Sequence, residues 1–216
     1  APFKFELQEV PAPSPGHEEV LVQVRAVGIC GSDVHGMTGE TGRRIPPVIM
    51  GHEVAGVVVK TGSGCDTSWN GKRVTVDSTI YCGTCRPCTR GEINLCENRQ
   101  VLGVSCDEYR RDGALAEYIT VPQRVLHELP PAVSFVQGAM TEPLSVAVHA
   151  VGRVNVGSGS EVLVVGCGVI GLLTIQALKA RGCSRVLATD VSTSRLEFAR
   201  RFGADLAVQP SRLAGL

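Results

Sequence analysis

The sequence has no excess of charge of either sign: 21 Lys and Arg stand against 21 Asp and Glu. A balanced chain has no global field with which to draw nucleic acid or anionic lipid, so neither is expected as a partner. Long apolar runs are also lacking. The longest, residues 162–175, is interrupted by three glycines and falls short of the roughly 20 residues that a membrane-spanning helix needs. There is no internal repeat and no low-complexity tract. No basic segment followed by an apolar one stands at the start, and a cytoplasmic location is the default expectation. A disulfide framework is missing too. Nine cysteines is an odd number; four crowd between Cys82 and Cys96, while Cys30, Cys65, Cys106, Cys167 and Cys183 are scattered. That distribution reads as metal ligands plus free thiols in a reducing compartment.

What is present suits a packed α/β chain with a β-rich part. Apolar residues make up 44% of the 216, and 25 glycines with 12 prolines predict many tight turns. Residues 20–27, 54–60, 73–76 and 117–121 alternate or are β-branched and predict strands. Residues 82–100 lack apolar periodicity and predict a loop that needs an external staple. From Gln137 the spacing becomes helical. Beyond residue 159 a strand (162–165), a helix (169–180), a strand (185–189), a helix (194–202) and a strand (206–208) predict a βαβαβ half-unit. The boundary is expected near residue 152, giving domains 1–152 and 153–216.

The crowded cysteines read Cys82-Gly-Thr-Cys85-Arg-Pro-Cys88, then Cys96. Four thiolates so close can surround one tetrahedral zinc at roughly 2.3 Å each, with no open position, so the ion would be structural. An iron–sulfur cluster or redox-active surface thiols are the other readings. Gly166-Cys-Gly168-Val-Ile-Gly171 follows a predicted strand and opens a predicted helix, the context that a dinucleotide-binding turn requires. The first glycine would make the turn, the second admit the pyrophosphate, and the third let helix and strand pack. Asp190 closes the next strand, 19 residues after Gly171, where a carboxylate accepts from ribose hydroxyls and repels a 2′-phosphate. NAD is therefore expected over NADP, with Ile170 packing against it.

Three further segments, Gly28-Ile-Cys30-Gly-Ser32-Asp33-Val-His35, Gly51-His52-Glu53 and Glu142-Pro143, decide nothing singly. Taken with the cysteine lobe (82–96) and the glycine motif, in this order, they make the chain resemble the zinc-dependent medium-chain dehydrogenases. The likeness is greatest to their polyol branch of sorbitol, L-iditol and threonine dehydrogenases. The resemblance implies a GroES-like β-barrel catalytic domain followed by part of a Rossmann domain, a doubly wound parallel sheet. It implies a catalytic zinc held by Cys30, His52 and Glu53, and Glu142 holding the zinc-bound water or entering the coordination shell. Asp33 would fix the tautomer of His52, Ser32 and His35 would relay the alcohol proton to solvent, and Arg195 would lie beside the adenosine ribose. As ordinary residues, Ser32 and His35 would be turn positions and Arg195 a solvated helix charge. Gly36 and Met37 stand where the branch commonly has an aromatic residue contacting substrate, so an altered substrate pocket is expected.

The function implied is a zinc-dependent oxidoreductase passing a hydride from a secondary alcohol, a polyol or sugar alcohol, to NAD. Two zinc ions per full-length chain and a homo-oligomer (dimer or tetramer) are expected with it. A related dehydrogenase acting on an amino-alcohol or sugar phosphate is one alternative. The other is a truncated, non-catalytic zinc-binding remnant, since three strands are only half of a Rossmann sheet. On any of these readings the 216 residues are expected to grip zinc and the adenosine end of NAD without completing the hydride-transfer geometry, and so to be inactive alone.

Overall fold

The computed structural model describes residues 4–215. The chain divides after Glu142 into two compact units. The boundary expected near residue 152 lies at the far end of the helix that starts beside this division. Among the described residues no helix is long and apolar enough to cross a membrane.

The first unit opens with β1 (Glu19–Gly28), α1 (Gly31–Met37), β2 (Glu53–Thr61) and β3 (Arg73–Val76). Short pieces follow: β4 (Thr79–Ile80), α2 (Arg86–Thr89), β5 (Gln100–Val101), β6 (Val104–Ser105) and β7 (Arg110–Arg111). The unit ends with β8 (Tyr118–Pro122), β9 (Leu126–Glu128), α3 (Phe135–Ala139) and the start of α4 (Thr141–Gly152). Five strands pair antiparallel in the order β8-β1-β2-β3-β9. The two edge strands are joined by only Gln123–Val125. Four residue steps reach roughly 14 Å at most, whereas five flat strands would hold their edges about 19 Å apart. The sheet therefore curls towards a barrel. Register shifts between Leu21 and Val22 and between Val24 and Ala26 add local twist of the kind that curling needs. Val20, Val22, Val54, Val58, Val74 and Val121 are fully buried inside the curl, each contributing roughly 1.5–3 kcal/mol.

The second unit continues with β10 (Glu161–Val165), α5 (Val169–Ala180), β11 (Arg185–Thr189), α6 (Thr193–Arg201) and β12 (Leu206–Val208). The strands are parallel in the order β10-β11-β12, an arrangement that demands crossover connections, here the two helices. Ile175 and Leu178 of α5 and Leu196 and Ala199 of α6 close the core over Val164 and Val186. The strands legible from patterning are present to within a residue at either end. The two-residue strands of the first unit and β9 are too short for alternation to reveal, and the helical stretch from Gln137 is two helices that part at Met140.

Candidate metal and dinucleotide sites

Antiparallel pairing sets Gly28, the last residue of β1, opposite Glu53, the first of β2. The residues just past β1 and just before β2 therefore share one end of the sheet. Cys30 caps α1 there, and His52 and Glu53 lead into β2. Their ligand atoms lie within 4.8 Å of one another. Gly28 makes room for the third donor: a Cβ at that position would stand 2.0 Å from Glu53 Oε2.

Asp33, 2% exposed, organises the group. One carboxylate oxygen accepts from the Cys30 amide at 3.1 Å; the other faces His52 Nδ1 at 3.6 Å and Arg44 at 3.5 Å. With Nδ1 turned to the carboxylate, His52 has Nε2 left for the donor set. The Asp33 carboxylate raises His52 to about 9 against the opposing effect of burial. Burial pushes Asp33 up, but His52, the Cys30 amide and Arg44 together hold it below the usual range. A metal-bound imidazole is neutral, so loading a cation here displaces the His52 proton. Asp33 Oδ1 and His52 Nδ1 are buried with no partner at hydrogen-bond distance. Sulfur, nitrogen and oxygen donors, with a carboxylate behind the imidazole, fit a zinc ion that keeps an exchangeable position.

Glu142, in the first turn of α4, stands outside the set of mutually close donors. Its Oε1 accepts from Ser78 Oγ at 3.3 Å. Burial raises its pKa, opposed by the charge of His52 and reinforced by that of Glu53. Ser78 escaped the sequence reading because a serine after a short strand carries no spacing signal. Ser32 and His35 are exposed on α1. The Ser32 amide donates to Cys30 Sγ at 3.5 Å, but the Ser32 hydroxyl and the His35 ring share no hydrogen bond, so the expected relay is not joined in this structure. Gly36 is buried against Arg44, so its small size serves packing within the unit.

In the cysteine lobe the four sulfurs lie within 4.8 Å of one another, with Cys82 to Cys88 at 4.0 Å and Cys85 to Cys96 at 3.9 Å. Tetrahedral bonds of roughly 2.3 Å put sulfurs about 3.8 Å apart, so the lobe fits one shared ion. A four-iron cluster, with each thiolate on its own iron, would hold them farther apart. The Thr84 and Cys85 amides and the Thr84 hydroxyl converge on Cys82 Sγ and bring it down to about 5. Burial and the neighbouring sulfurs push Cys88 up to about 12. Cys82 is thus favoured as a thiolate, whereas Cys88 needs a cation beside it to become one.

In the second unit Gly166 has a positive φ of 91°, which makes the turn out of β10. A Cβ on Gly171 would lie 1.9 Å from the Gly166 carbonyl, so the third glycine packs on the turn itself. Gly168 precedes α5, and a Cβ there would meet nothing within 4 Å, leaving an open cradle at a helix N-terminus that fits a pyrophosphate. Ile170 is partly exposed on the first turn. Asp190 is buried, and both its oxygens are engaged: Oδ2 by the Cys167 amide and Oδ1 by the Ser192 amide, each at 2.8 Å. These amides hold its pKa below the usual range. Arg195 is exposed and lies 3.8 Å from Asp190.

Residues 16–131 match the family described as "Alcohol dehydrogenase GroES-like domain", and residues 169–215 match "Zinc-binding dehydrogenase". D-xylulose reductase A of Aspergillus oryzae is 39% identical over 99% of this chain and 59% of its own length. Sorbitol dehydrogenase of Bacillus subtilis is 38% identical over 93% of this chain and 57% of its own. A zinc-binding dehydrogenase from Sinorhizobium meliloti, described as putative and solved bound to NADP, has a TM-score of 0.89 at 38% identity, covering 98% of this chain and 60% of that one. The chain thus spans a little under three fifths of the length of these curated relatives.

Proposed function

The chain belongs to the zinc-dependent medium-chain alcohol dehydrogenases, and from that membership we propose that the protein oxidises a secondary alcohol of the polyol or sugar-alcohol class with NAD. The donor set of Cys30, His52 and Glu53, backed by Asp33, carries this reading. The polyol class rests on the names of the xylulose reductase and sorbitol dehydrogenase relatives. Zinc held by the three donors supplies Lewis acidity toward the substrate oxygen, and NAD on the glycine turn supplies the hydride acceptor. Cys82, Cys85, Cys88 and Cys96 would hold a second zinc that orders the lobe.

The chain's own residues prepare the site. Asp33 holds His52 in the tautomer that presents Nε2. Glu142, displaced towards protonation by burial, stands ready to hold a proton, and Ser78 orients it. Ser32 and His35, both exposed on α1, would carry the substrate proton to water, although they share no hydrogen bond in this structure. The amides at the start of α5 receive the pyrophosphate over Gly168. Asp190 accepts from the ribose through the lone pairs that the Cys167 and Ser192 amides leave over. A 2′-phosphate would meet this carboxylate, which favours NAD in this chain although the Sinorhizobium protein was solved with NADP. A reducing cytoplasmic compartment suits the nine free thiols, and a homo-oligomer completes the reading.

Incubating the purified full-length protein with NAD and a panel of polyols tests the proposal. NADH formation that is lost on chelation, restored by zinc and absent in Cys30→Ala is the expected result. A zinc-loaded protein that reduces no NAD with any secondary alcohol would overturn it.

A further inference from the structure

Behind the proposed metal centre lies a guanidinium that the spacing of motifs does not announce. The Arg44 side chain is 8% exposed, and its Nη2 stands 3.5 Å from Asp33 Oδ1, the oxygen that also faces His52. Its Nε is buried with no hydrogen-bond partner, a costly arrangement for a surface loop to adopt for packing alone. Two features hold the side chain there. The backbone around Arg44 is pinned to β6, with the Ile45 amide donating to the Ser105 carbonyl and the Ser105 amide donating to the Arg43 carbonyl. Gly36, buried in α1, leaves the space: a Cβ on it would stand 2.2 Å from Arg44 Cγ.

The charge balance gives the arrangement a purpose. Cys30, Glu53 and Asp33 gather three groups that are anionic around a bound metal, of which a divalent ion balances two. Arg44 adds a permanent positive charge at the Asp33 oxygen that also faces His52. We propose that Arg44 is a positioning residue of the Cys30–His52–Glu53 centre, fixing Asp33 so that Asp33 can fix His52. The proposal rests on the reading of these three residues as metal ligands. Gly36 is then the residue that admits Arg44.

A double-mutant cycle separates this role from simple loop anchoring. Cobalt(II) is titrated into the chelated protein, and the part of the visible absorption lost in Cys30→Ala is assigned to this centre. Arg44→Met and Asp33→Asn should each weaken cobalt binding by roughly tenfold or more. The double variant should be no weaker than Asp33→Asn alone, and Arg44→Lys should recover part of the loss. Arg44→Gln, a second neutral variant, is measured in parallel so that misfolding of one does not decide the outcome. Wild-type affinity in the neutral variants, or a loss that adds in full to that of Asp33→Asn, would overturn the proposal. A wild-type protein with no Cys30-dependent absorption would instead remove the metal reading, and the role of Arg44 with it.

Discussion

Under the proposed reading, Asp190 has two duties. A carboxylate at the end of the second parallel strand suits the ribose, yet both its oxygens also clasp backbone amides, one from the glycine turn and one from the loop before α6. Replacing it therefore loosens the turn as well as the cofactor. Asp190→Ser should raise the KM for NAD about tenfold, narrow the gap between NAD and NADP, and lower Tm by roughly 2–8 °C as the two amides lose their acceptor. Steady-state kinetics with both cofactors and a thermal melt check this. Equal kcat/KM for NAD and NADP in the unmutated protein would remove the assignment. The identity of Asp190 was legible from its place after a β-branched strand. Its clasp on Cys167 was not, because that bond depends on how two loops meet.

At the scale of elements, the cysteine lobe holds only short helical turns, and under the proposed reading its order would depend on the ion. Cys85→Ser should reduce bound zinc from two ions to one and lower Tm by roughly 5–10 °C. Metal analysis and calorimetry read both quantities, and an unchanged Tm would contradict a structural role. A second test concerns the tie between α5 and β11. Asp205 Oδ2 accepts from Lys179 Nζ at 2.6 Å and from the Val186 amide at 2.7 Å. These partners, Lys179 foremost, hold its carboxyl below the ordinary 3.8. A depressed folded-state pKa contributes stability above that ordinary value, and the contribution disappears as pH falls through the folded value. The Tm gap between wild type and Asp205→Asn should thus stay constant from pH 5 to 8 and narrow as pH falls below the ordinary 3.8. A gap that fails to narrow at all as pH falls below 3.8, or that is absent at pH 5 to 8, would refute the tie.

For the whole molecule, the two units have separate cores, and both proposed metal centres belong to the first. Chelation at neutral pH should speed amide hydrogen exchange in residues 28–53 and 79–105 and leave the β11 amides protected. Equal loss of protection in both units would mean that the metals stabilise more than their own unit. The resemblance to the family pointed to Cys30, His52 and Glu53; by itself the sequence determined the local pieces: alternating strands, the glycine turn with its helix, and the four-cysteine spacing. These are properties of short windows, where side-chain period and ligand spacing speak directly. Only the tertiary structure decided that the five-stranded sheet curls and that Ser78 meets Glu142, 64 residues away. It alone brought Arg44 behind Asp33 and left Ser32 and His35 apart. Such contacts follow from the register of β1 on β2 and from where loops are pinned, and no local pattern of residues encodes a register by itself.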